Sequence, residues 1–168
     1  MSWMRWSEVL LAVIFLFAVP DSPARADESR SIQENLFAFL DGQLPPEQVT
    51  ITYTDIHGLW GGLEITIEGT GKVNQRVLPP SLEKEVSAQH DLSLEEVSRL
   101  AHLLIQLEVW EQKVPDREAM ADEGRAYLRL KLGKSSREIW EWYNDLEANN
   151  RLVRIREMMR ELVVMHRK

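Results

Sequence analysis

The chain has 168 residues, a formal net charge of −7 and no cysteine. The acidic balance argues against nucleic acid as the main partner, and the missing thiol excludes disulfides and a thioether lipid anchor. A 44% hydrophobic content over this length suits one domain held by its own core.

The N-terminus reads as a secretory signal. Arg5 supplies the positive end, residues 9–19 are almost purely apolar, and Ala24-Arg25-Ala26 forms a small-x-small cleavage site. The apolar run falls short of the ~20 residues of a membrane-spanning helix. Cleavage after Ala26 is therefore expected, giving an exported chain, periplasmic or secreted, that starts at Asp27. Glu8 is unusual in such a signal and keeps an uncleaved anchor as the alternative.

The expected layout is a signal over 1–26, a helix and linker over 27–48, and a domain over 49–168. Ser31 and Glu34 have capping-box spacing, so a helix is predicted over 31–40, with Ile32, Leu36, Phe39 and Leu40 on one face and Phe37 beside it. Asp41-Gly42 ends it, and Pro45-Pro46 stiffens the link onward.

Val49, Ile51 and Tyr53 then alternate with Thr50, Thr52 and Thr54, and Leu63, Ile65 and Ile67 alternate with Glu64, Thr66 and Glu68. Both runs have the period of half-buried strands. Between them lies a glycine-rich turn, Gly58, Leu59, Trp60, Gly61 and Gly62. A third strand follows Gly69-Thr70-Gly71-Lys72, with Gly71 in the left-handed conformation. The expected register sets Ile65 opposite Val77 and Thr66 opposite Arg76, with Arg76 diagonal to Glu64 and Glu68. Pro79-Pro80 stops that strand, and residues 81–90 read as a loop.

Ser93 and Glu96 form a second capping box. Behind it Leu94, Val97, Leu100, Ala101, Leu104 and Leu107 predict a helix to about Val109, with His102 on its wet side and Trp110 continuing its apolar face. An acidic loop spans 115–124. A strand over 125–132 should bury Ala126, Leu128, Leu130 and Leu132. After a turn at 133–136, a strand over 137–143 leaves its buried side open between Trp140 with Trp142 and Ile139, Glu141 and Tyr143. Asn149 or Asn150 caps a last helix whose stripe is Leu152, Ile155, Met158, Met159, Leu162 and Met165. The order predicts an α+β fold: a single antiparallel sheet of about five strands with helices packed mainly on one face.

Motifs for chemistry are sparse. His57, His90, His102 and His166 have no ligand spacing, so no metal and no cofactor is expected. Asp55, His57 and Glu64 are the one candidate acid–base cluster, against the plainer reading of a solvated hairpin end. Trp60 either folds back over the core and holds Tyr53, or stands out as an anchor for a protein partner. Trp140 and Trp142 read as sheet-face packing. The arginines of the last helix read as a solvated, charge-paired face rather than a membrane contact.

The run ITYTDIHGLWGGLEITI at 51–67, the helix LSLEEVSRLAHLLIQL at 92–107 and the strand around Gly124 and Tyr127 resemble the emfourin-like family. The resemblance covers about residues 49–164. It implies a small exported domain without catalytic residues, and a thermolysin-type metalloprotease as the most specific partner. No inhibitory residue carries over. The leading expectation is thus a non-catalytic protein-binding domain whose contact surface is Gly58, Leu59, Trp60, Gly61 and Gly62. The alternatives are an envelope scaffolding protein without a single tight partner, and a hydrolase using Asp55, His57 and Glu64.

Overall fold

An alternating strand can bury one face only if other elements cover it. In the computed structural model, which describes residues 23–80 and 84–165, that cover comes from three helices. The elements are α1 (Pro23–Leu40), β1 (Val49–Thr54), β2 (Gly62–Glu68), β3 (Lys72–Leu78), β4 (Val86–Asp91), α2 (Leu94–Gln106), β5 (Arg125–Leu132), β6 (Ser135–Trp142) and α3 (Asn150–Met165). The strands form one antiparallel sheet in the order β4-β3-β2-β1-β5-β6. The fold is α+β, with six strands.

One face of the sheet carries Ile51, Tyr53, Ile65, Ile67, Leu128, Leu130 and Ile139, all buried in a single cluster with Ile32, Leu36, Leu100, Leu104, Ile155 and Met159 from the helices. The other face is a wet array. Thr52 lies opposite Thr66 with their hydroxyls 3.0 Å apart, and Arg129 pairs with Glu138.

Several expectations are corrected. Residues 81–90 were expected to form a loop, but β4 adds an edge strand there, because each residue from Val86 to Asp91 finds a partner on β3. The β2–β3 register is shifted by two from that expected. The turn closes through Gly71 N–H on the Glu68 carbonyl at 2.9 Å. This sets Leu63 opposite Val77, Ile65 opposite Gln75 and Glu64 directly opposite Arg76. Gly71 does take a positive φ, 96°.

The first helix starts at Pro23, not at Ser31. Proline suits a first helical turn, and the Ala24-Arg25-Ala26 motif lies inside that turn. Ser31 caps nothing. It bonds Ser135 across to β6, and Asn35 reaches the Leu132 carbonyl at 3.3 Å. Of the signal assigned to residues 1–26, residues 1–22 lie outside the described residues, as does His166, and residues 23–26 open α1.

The second helix ends earlier than expected, at Gln106. Glu108 adopts a left-handed conformation (φ 46°), and a short 3₁₀ turn at Val109–Glu111 buries Trp110. The β5–β6 turn tightens to Gly133-Lys134. On β6, Ile139 and Arg137 face the helices, and Arg137 donates to Ser29 Oγ of α1 at 2.5 Å. Asn149 caps α3 by accepting from Leu152 N–H at 3.1 Å.

Candidate functional site

The Gly58–Gly62 turn is a closed tip. His57 and Gly61 exchange two backbone hydrogen bonds, of 2.7 and 2.9 Å, below the three residues Gly58, Leu59 and Trp60. Gly61 has φ +72°, and a Cβ there would collide with the Leu78 carbonyl and Pro79. A side chain would cost both conformational energy and this contact. Residue type and turn geometry together fix the tip.

Trp60 and Leu59 stand out of it, 66% and 65% exposed. The reading of Trp60 as a core residue that holds Tyr53 is thereby overturned. Tyr53 is fully buried without it, under the helices, and its hydroxyl donates to Asp55 Oδ2 at 3.1 Å. Burial, then the neighbouring Asp55 charge, pushes the Tyr53 phenol well above its ordinary range.

Asp55, His57 and Glu64 do not converge. Asp55 points inward, where Oδ1 accepts from Leu63 N–H at 2.8 Å and Oδ2 accepts from Tyr53 and from Arg160 of α3 at 3.1 Å. Its oxygens thus fasten strand, hairpin and helix. Glu64 lies on the wet face, paired with Arg76 at 3.0 Å. His57 is buried, with both ring nitrogens in use. Nδ1 accepts from Leu59 N–H at 3.2 Å, so Nε2 carries the proton and donates to the Asp122 carbonyl at 2.9 Å. No acid–base relay links these three groups.

The His57–Asp122 bond brings a second loop beside the tip. Asp122 takes a left-handed conformation (φ 59°) that its short side chain tolerates. Gly124 lets the imidazole approach, since a Cβ there would lie 2.9 Å from His57 Cδ2. An open groove of about 440 Å³ runs between the loops, lined by Ile56, His57, Leu59, Asp122, Glu123 and Gly124. Met120, two positions from Asp122, is also exposed.

Arg117 braces this second loop. It bonds both Glu123 oxygens at 2.7 and 2.8 Å and donates from Nε to Asp145 at 2.8 Å. Those Arg117 bonds, with Met120 N–H, hold the Glu123 carboxyl down at about 2. Arg117 and Arg125 also lie over the Trp142 ring, at 5.1 and 4.5 Å. Trp142 is buried and edge-on to Trp140 at 4.9 Å, so the two tryptophans pack on the sheet as expected.

The arginines of α3 are largely committed inward. Arg151 donates to the Leu107 carbonyl at 2.7 Å, Arg156 pairs with Glu147 at 2.8 Å, and Arg160 holds Asp55. Among the described residues, no group of histidine and acidic side chains is arranged to hold a metal ion, and no helix is long and apolar enough to cross a membrane.

The sequence did not reveal the partnership of tip and second loop. It rests on a backbone carbonyl 65 positions from His57, and no residue pattern marks such a contact. Arg160 was seen only as part of a basic face. No protein-family model matches the chain, and neither does any curated protein.

Proposed function

We propose that this chain is an exported, non-catalytic domain that binds another protein through Gly58, Leu59, Trp60, Gly61 and Gly62. The observation that carries the reading is Trp60, two-thirds exposed beside an equally exposed Leu59 on a tip closed by reciprocal backbone bonds. A large aromatic held on a closed turn loses little freedom on docking, which is the usual setting of an interface anchor. The adjacent groove gives a partner's side chain somewhere to enter, and the exposed Asp122 beside it favours a partner with a cationic group next to its apolar contact. The emfourin-like resemblance makes a secreted thermolysin-type metalloprotease the first partner to try.

Trp60→Ala tests the reading. Melting should change by no more than about 0.5 kcal/mol, since an exposed side chain is removed. Affinity for the captured partner should fall by ~2 kcal/mol or more. A folded W60A protein that captures the partner as well as wild type rules out the tip as the contact. Titrating a purified thermolysin-type protease with the protein separates the partner from the surface: an uninhibited enzyme removes that class of partner.

A further inference from the structure

We propose that β4 is a self-pairing edge, and that two copies of this chain join their sheets antiparallel across it. The proposal concerns a different surface from the tip and does not rest on it.

The two edges of the sheet are not equivalent. At β6, Ser135 is held by Ser31 and Asn35 of α1, Arg137 donates to the Gln112 carbonyl and Trp142 to the Arg117 carbonyl. Among the described strands, β4 pairs with β3 alone. Edge strands are ordinarily guarded by lysine, proline, a bulge or a covering loop. From Val86 to Asp91 there is no lysine, arginine or proline. Of the two charged residues just before the strand, Lys84 and Glu85, Glu85 is drawn over the wet face by two hydrogen bonds from Arg76, at 3.0 and 3.1 Å.

The direction of the free groups fixes a register. Leu92 N–H donates to the Gly71 carbonyl at 2.8 Å, so Leu92 turns its peptide groups towards β3. Direction alternates along a strand. Ser87, Gln89 and Asp91 therefore turn their N–H and C=O groups outward.

A twofold axis through Gln89 pairs all three with a second copy: Gln89 with Gln89, and Ser87 with Asp91 in both senses. No like charges are then opposed. An axis through Ala88 would leave Asp91 facing Glu85 and would pair only Ser87 and Gln89. The Gln89 register also sets Val86, 47% exposed, opposite Leu92 of the second copy and beside Leu94, 60% exposed. Two of the exposed large apolar side chains are thereby covered.

Sedimentation of the purified protein from micromolar to near-millimolar concentration tests this. Wild type should pass from monomer to dimer, and amide exchange at Ser87, Gln89 and Asp91 should slow as it does. Gln89→Pro removes an outward N–H, a substitution an edge strand tolerates. The variant should keep its fold by circular dichroism and raise the dimer dissociation constant at least about tenfold. If Q89P fails to fold, Val86→Lys decides, with the same rise expected from a charge placed on the covered shoulder. A wild-type monomer at every concentration overturns the proposal, as does a folded Q89P or V86K that dimerises like wild type. Protection of β4 that appears only when a different protein is added assigns the edge to a foreign strand and likewise overturns self-pairing.

Discussion

His57 and Trp60 are three positions apart and meet opposite fates. The imidazole is buried and spends both nitrogens on backbone groups, while the indole is left to solvent. Alternation could not separate them, because both lie in a turn where the strand period has stopped. Where a period runs on, single residues were legible. Leu104 is fully buried and His102 exposed, as their helical positions require. Leu104→Ala should therefore cost ~2–5 kcal/mol of stability, and His102→Ala about 0.5 kcal/mol or less, both read from denaturant melts. Asp55 was singled out for the wrong reason. Removing its carboxylate strands Leu63 N–H and the Tyr53 hydroxyl, so Asp55→Ala should destabilise by about 2–4 kcal/mol.

Glu123 gives the second loop a pH limit. Its carboxyl titrates at about 2 in the fold, against ~4.3 for an unpaired glutamate. Between those values the unfolded chain binds more protons than the folded one. The stabilisation from the Arg117 pair is thus fully present above about pH 4.5 and drains away as pH falls towards 2. In melts from pH 6 to pH 2, Glu123→Gln should be the less stable protein at pH 6, and the gap to wild type should close across that window. A gap independent of pH contradicts the pairing.

At the scale of elements, apolar spacing located α2, β1, β2, β5 and α3, since their buried stripes are long and regular. β4 was not legible. Val86, Ala88 and His90 face the helix side without an apolar period, and what makes them a strand is the row of partners on β3. The β2–β3 register was missed by two because Gly69, Thr70 and Gly71 allow more than one turn, and closure at Glu68 settles it. For α1 the spacing found the buried face, while its polar fastening to β6 was invisible. Ile32 and Leu36 are fully buried, so α1 is part of the core. Leu36→Ala should accordingly lower stability by ~2–5 kcal/mol, as much as a core leucine of α2.

For the whole molecule, the fold class followed from the order of elements, whereas the strand order did not. Nothing in Val49–Thr54 says that this strand pairs on one side with the next strand and on the other with β5 from the second half of the chain. Export remains a reading of Ala24-Arg25-Ala26, and N-terminal sequencing of the secreted form should begin at Asp27. A mature protein that retains Trp3 and Trp6 would count against cleavage.

The central place of β1 has a consequence for how the chain comes together. On one side Ile51 meets Ile67, about 16 residues on; on the other it meets Leu130, about 80 residues on. The first pairing closes a short loop, while the second must wait for most of the chain to be made. The molecule is therefore two consecutive halves joined along a single seam, with α1 laid over β5 and β6 and α3 against α2 as its clasps. A first half that forms early carries a bare β1 edge until the second half arrives, and an unpaired edge of that kind is open to mispairing.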